Sequence, residues 1–155
     1  MKHDFLYSVE REYNSSMAAV WTAWSDAAAL QEWYHPTDLA NVPNSAESVV
    51  EVGGRWAIAV DVPAYNFQAY FYGLYTKVQE HTLLEHTMCY TQDAGEFAAK
   101  DDNAPHHLVV VDFEDRSGKT WVRFSQFGEM PEEQIPQTKA GMTSYFDSLE
   151  AFLAN

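Results

Sequence analysis

The sequence predicts an α+β domain in which a curved antiparallel sheet of about six or seven strands wraps around one long helix. Three features predict it. Alternating segments bounded by turn residues run through most of the chain, two short stretches of helical spacing follow the first of them, and an apolar stripe at spacings of three and four lies near the end.

Residues 5–12 (FLYSVERE) alternate and carry neither Gly nor Pro, as a strand does. Asn14, Ser15 and Ser16 then offer helix N-caps, and Met17, Val20, Trp21 and Trp24 recur at helical spacing up to a second cap, Asp26. Leu30, Trp33 and Tyr34 continue on one side, so two short helices joined at Ser25-Asp26 are expected. His35-Pro36 ends them, and the polar stretch 37–48 reads as a loop into a strand at 49–52, turned by Gly53-Gly54. Further strands are expected at 55–62, 66–78, 82–91, 107–114 and 120–127, the last two joined by the tight hairpin Arg116-Ser117-Gly118-Lys119. Residues 92–105, rich in Asp, Ala, Gly and Asn, read as an exposed connection. After Pro131 the alternation stops. Met142, Tyr145, Phe146, Leu149, Phe152 and Leu153 then form the apolar stripe of a helix over 136–154.

The 155 residues suit one domain, 1–155, and a hydrophobic content of 46% with 15% aromatics excludes intrinsic disorder. The net charge is −14, from 23 acidic residues against 9 basic ones scattered singly, so a nucleic acid or an anionic membrane surface is not an expected partner. Cys89 is the single cysteine, which precludes an internal disulfide. The start, Met1-Lys2-His3-Asp4, lacks the apolar run of a secretory signal, and the longest aliphatic run is only 108–111; the chain reads as cytoplasmic.

Little in the sequence points to reactive chemistry. His81 and His86 lie five apart on an expected strand and His106 and His107 are adjacent, so each pair points to opposite faces, and no HxH or HxxxH pair exists. These histidines read as surface or singly bonded, and no metal or other cofactor is expected. Cys89 has only His86 nearby, on the other face, and reads as a small buried hydrophobe rather than a nucleophile. Gly53-Gly54 sits between strands, where it serves a turn and not a phosphate. Asp101-Asp102 and Glu132-Glu133 read as solvated charge, the second pair favouring a helix start.

The sheet carries more information. Alternation places Trp56, Ile58 and Val60, then Val109, Val111 and Phe113, then Val122, Phe124 and Gln126 on one face, toward the helix stripe of Met142, Tyr145, Phe146 and Leu149. An unpaired buried carboxylate costs several kcal/mol, so Glu85 faces out and Leu84, His86 and Met88 face in. The ordinary reading of such a face is a filled core. A ligand-holding cup would instead leave an apolar void with a few inward polar groups, which Gln126 and His86 would supply.

The element order, with Val20-Trp21-Thr22-Ala23-Trp24-Ser25-Asp26, Leu30-Gln31-Glu32-Trp33-Tyr34, Gly53-Gly54-Arg55-Trp56, Gly73-Leu74-Tyr75, Ser125-Gln126 and a Gly141-led terminal helix, resembles the family named after the activator of the heat-shock protein 90 ATPase. That family belongs to the START-like, or SRPBCC, superfamily of helix-grip proteins. The resemblance runs from Tyr7 to Leu153 and implies a cavity between sheet and helix. It also selects Tyr75 as inward in the stretch 67–75, which is aromatic on both parities. One departure is Met142, where many members carry Trp; the softer side chain implies a differently shaped cavity floor.

The candidate ligand-binding residues are therefore Trp56, Ile58, Tyr75, His86, Met88, Val111, Phe113, Phe124, Gln126, Met142, Tyr145, Phe146 and Leu149. Three functions follow. The first is non-enzymatic binding of a small apolar or aromatic molecule. The second is a cyclase- or hydrolase-like enzyme using the same cavity, with His86 as general base. The third is a chaperone-associated interaction module, for which a protein partner or a homodimer is implied; co-chaperone members carry a further domain for which 155 residues leave no room. Convergent titratable groups in the cavity favour the enzyme, and a completely filled cup favours the interaction module.

Overall fold

The structure, a computed structural model, describes residues 4–155. The N-terminal reading rests partly on Met1, Lys2 and His3, which lie outside the described residues. Strand β1 (Phe5–Tyr13) leads into helices α1 (Met17–Ser25) and α2 (Ala27–Trp33). Their starts are fixed locally, since the Ser16 hydroxyl accepts from Ala19 N–H at 3.2 Å and the Asp26 carboxylate from Ala29 N–H at 3.1 Å.

Two-residue strands β2 (Ala40–Asn41) and β3 (Glu47–Ser48) precede the long strands β4 (Arg55–Val62), β5 (Phe67–Gln79), β6 (Leu83–Thr91), β7 (His107–Arg116) and β8 (Lys119–Phe127). Helix α3 (Ala94–Ala99) lies between β6 and β7, and α4 (Ile135–Leu153) closes the chain. The strands pair antiparallel in the order β1-β8-β7-β6-β5-β4-β2, with β3 also on β4, as an 8-stranded sheet curled around α4. The β7–β8 hairpin turns through Ser117 and Gly118 with φ of 59° and 87°, the positive pair a tight primed turn requires.

The concave face and α4 share one core. Trp33, Phe124, Phe146, Leu30, Ile58, Leu84 and Leu149 are all under 2% exposed, and each such side chain contributes about 1.5–3 kcal/mol on burial. Across the sheet a second cluster of Ala57, Tyr72 and Cys89 is covered by Phe97 of α3, which stacks on Tyr70 at 4.7 Å. Arg55 holds the segment after α3 by a two-pronged ion pair to Asp102, both contacts 2.9 Å. Burial pushes the Cys89 thiol up, away from the thiolate that a nucleophile needs.

Several expectations are corrected. Residues 49–52 form no strand: Gly54 N–H closes on Glu51 O and Gly53 N–H on Tyr75 O, so this stretch turns, and Val49 and Val52 are exposed. Pairing with β4 shifts back to Glu47–Ser48, where the Ser48 hydroxyl joins the Ser25 carbonyl and the Tyr75 hydroxyl. Residues 92–105 are not all loop, because Asp93 caps α3 by accepting from Glu96 N–H. His81 sits in the β5–β6 turn at φ 65°, not on a strand.

Candidate functional site: a cavity beneath the first half of α4

Helix α4 fills the curled sheet unevenly. Its later turns bury Phe146 and Leu149 completely, and Phe146 meets Trp24 and Tyr13 with ring centroids 5.9 and 6.3 Å away. Its earlier turns, carrying Thr138, Gly141, Met142 and Tyr145, instead roof a cavity of about 770 Å³. The walls come from element ends and connections: Tyr7 of β1, Tyr34 after α2, Phe71 of β5, Met88 and Tyr90 of β6, residues 105–107, Gln126 of β8, and the run Gly128-Glu129-Met130-Pro131 with Gln134.

Of the candidates from sequence, Met88, Gln126, Met142 and Tyr145 line this space. Trp56, Ile58, Tyr75, His86, Val111, Phe113, Phe124, Phe146 and Leu149 lie in the packed core, none more than 6% exposed, and are not among the lining residues. Tyr7, Phe71, Tyr90, His107 and Gly128 are wall residues absent from the sequence candidates, as is Tyr34, which helical spacing placed on one side with Leu30 and Trp33 without assigning it to the cavity.

One wall is a chain of hydrogen bonds. Tyr7 and Gln126 face each other across the β1–β8 register, and the Tyr7 hydroxyl donates to Gln126 Oε1 at 2.6 Å. The Gln126 amide nitrogen then donates to His107 Nδ1 at 2.7 Å, which leaves Nε2–H to donate to the Glu129 carbonyl at 3.0 Å. In this arrangement Nδ1 of His107 accepts and Nε2 donates. Gly128 makes room for it: a Cβ there would lie 2.4 Å from His107 Cδ2.

Another part of the lining is aromatic. Tyr34 is 3% exposed and packs edge-on against Tyr145, Trp56 and Trp24 at 4.9, 5.8 and 6.2 Å. Among the described residues neither the Tyr34 nor the Tyr145 hydroxyl has a protein hydrogen-bond partner. Burial, reinforced by neighbouring tyrosines, pushes both phenols well above their ordinary pKa, so both stay protonated. No Lys or Arg lines the cavity, and Glu129 is its only carboxylate among the described residues.

His86 is set apart from this space. It stacks on Trp56 at 4.3 Å, its Nδ1–H donates to the Thr87 carbonyl at 2.8 Å, and burial depresses it to about 4. An imidazole so weakly basic and so placed is a poor proton acceptor for anything in the cavity. Among the described residues no three His, Cys, Asp or Glu side chains cluster as metal ligands. The melting temperature is accordingly expected to be equal with and without EDTA; a loss on chelation that zinc restores would contradict this.

A curled antiparallel sheet gripping a terminal helix over a cavity defines the helix-grip class, START-like or SRPBCC domains. Within that class the chain belongs to the family described as Activator of Hsp90 ATPase homolog 1-like protein, which matches residues 14–154. Among solved structures it is similar to a protein of Staphylococcus epidermidis at 22% identity, covering 99% of this chain and 92% of that one with TM-score 0.78. It is also similar to the AHSA1 protein of Silicibacter pomeroyi at 21% identity, 96% of each chain and TM-score 0.78. A protein of Chromobacterium violaceum, at 18% identity, 96% of each chain and TM-score 0.77, has the same fold. No functionally characterised protein is similar enough to count as a match. No helix among the described residues is long and apolar enough to cross a membrane.

Proposed function

We propose that this protein binds a small, largely apolar or aromatic molecule in the cavity beneath α4. The observation that carries the reading is the unfilled volume of about 770 Å³, within the range of small-molecule sites. Aromatic and thioether side chains combined with a few fixed polar groups, as in this lining, are what such sites use. The open cup also supports ligand binding over an interaction module built on a filled core. Of the titratable groups around it, Tyr34 and Tyr145 are held protonated and both His107 ring nitrogens are engaged, which supports binding over acid–base catalysis at these three positions.

A panel of apolar and aromatic compounds tests the proposal through melting temperature and Trp emission, since Tyr34 links the cavity to Trp56 and Trp24. A true ligand at a hundredfold excess over its dissociation constant adds about 2.7 kcal/mol of stability. Met142→Trp is expected to weaken binding of any hit at least tenfold while the circular dichroism is retained, because the larger ring projects into empty space. A panel without shifts, a native mass spectrum from the host without a retained small molecule, and a Met142→Trp variant that merely destabilises would together reject it.

A further inference from the structure

We infer that the ligand of this cavity is an uncharged carbonyl compound, its oxygen held by the Tyr34 and Tyr145 hydroxyls. The inference rests on the binding reading above and narrows it. Two facts about the walls carry it. The polar groups on the Tyr7 side are already spent on one another, from Tyr7 through Gln126 and His107 to the Glu129 carbonyl. Elsewhere in the lining the Tyr34 and Tyr145 hydroxyls have no protein hydrogen-bond partner among the described residues, and neither is among the fully enclosed unpaired polar atoms, so both are open to the cavity. Their rings are in edge-on contact with centroids 4.9 Å apart, and both residues line the cavity.

A hydroxyl that a ligand covers without giving it an acceptor is left unpaired at a cost, so a ligand that brings an acceptor to this patch gains over one that does not. The acceptor has to be neutral. A carboxylate or phosphate would enter a space with no Lys or Arg in its lining, with Glu129 at its wall, in a protein of net charge −14. A cationic ligand finds no better site at this patch, because a phenol hydroxyl offers its hydrogen as donor and carries no charge to pair with it. A ketone, ester, lactone or quinone oxygen accepts two hydrogen bonds without bringing charge, which matches two protonated phenols.

Three probes of nearly equal shape separate the alternatives: 2-acetylnaphthalene, 2-ethylnaphthalene and 2-naphthoate, titrated by Trp emission or calorimetry against wild type, Tyr34→Phe and Tyr145→Phe. The expected result is that the ketone-over-hydrocarbon preference falls about three- to tenfold in each variant, with the affinity for 2-ethylnaphthalene unchanged. The unchanged hydrocarbon affinity is the internal control for an intact cavity. The naphthoate is expected to bind more weakly than the ketone in every variant. Equal preference in wild type and both variants, or tightest binding of the naphthoate, overturns the inference and leaves the binding reading standing. Failure of all three probes to bind wild type overturns this inference, while the binding reading is decided by the compound panel and the mass spectrum described above.

Discussion

Phe146→Ala is expected to destabilise the fold by about 3–5 kcal/mol, the range for removing a large aromatic from a core that cannot collapse around the gap. Phe146 is 0% exposed and stands where α4, β1 and α1 meet, against Tyr13 and Trp24, while the Tyr13 hydroxyl donates to its backbone carbonyl at 3.1 Å. Arg11, which pairs with Asp147 at 2.8 Å, also lies over its ring. Urea unfolding followed by circular dichroism reads the effect as a lowered midpoint at an unchanged slope. Met142→Ala, one turn earlier on the same stripe, is the paired measurement. Its side chain faces the cavity, so its removal enlarges a space already present and costs distinctly less. Equal losses at the two positions would show that α4 is packed evenly along its length and that the division between core and cavity is wrong.

That division marks the limit of what the sequence discloses. Strand β4 and the inward faces of β7 and β8 were legible because alternation and burial coincide there: Trp56, Ile58 and Val60 are buried as expected, as are Val109, Val111 and Phe113. Glu85 likewise placed Leu84 and His86 inside, and Cys89 was legible as a buried hydrophobe. Periodicity reports which face a side chain points to, however, and not how far the helix reaches along that face. Every candidate on the concave face was therefore equally eligible, although only Met88, Gln126, Met142 and Tyr145 stand where α4 leaves room. Part of the remaining wall comes from residues outside any repeating pattern, such as the Gly128–Pro131 connection, whose positions depend on tertiary contacts. Phe71 and Tyr72 show the same limit on one strand, the first lining the cavity and the second buried under α3. The lost strand at 49–52 has a different cause. Its apolar residues suit a strand, but a Cβ on Gly54 would lie 1.9 Å from the Val49 carbonyl oxygen, and that close fold-back is incompatible with an extended ladder.

The buried histidine makes stability depend on pH in a defined window. His86 lies between Trp56 and Tyr75, 4.3 and 5.9 Å away by ring centroid, with Val109 opposite on β7, and no carboxylate among these neighbours offsets a charge. Burial lowers its pKa from the ordinary 6.5 to about 4. As pH falls below 6.5 the unfolded chain takes up this proton while the folded chain resists until about pH 4, so the unfolded state binds more protons across the interval and stability declines with acidification. The shift corresponds to roughly 3 kcal/mol, complete below pH 4 and absent above pH 6.5. The protonation of the 23 acidic residues also changes stability over this range, so the contribution of His86 is read as a difference. His86→Leu removes the titration and keeps an apolar side chain of similar bulk beside Trp56, at the cost of the bond to the Thr87 carbonyl, which lowers stability equally at every pH. Between pH 7.5 and pH 4 the difference in unfolding free energy between wild type and variant, measured by urea, is expected to change by about 3 kcal/mol in favour of the variant. Parallel curves for the two proteins would mean that His86 titrates in the folded state as it does in water, and that the interior behind the cavity is open to solvent.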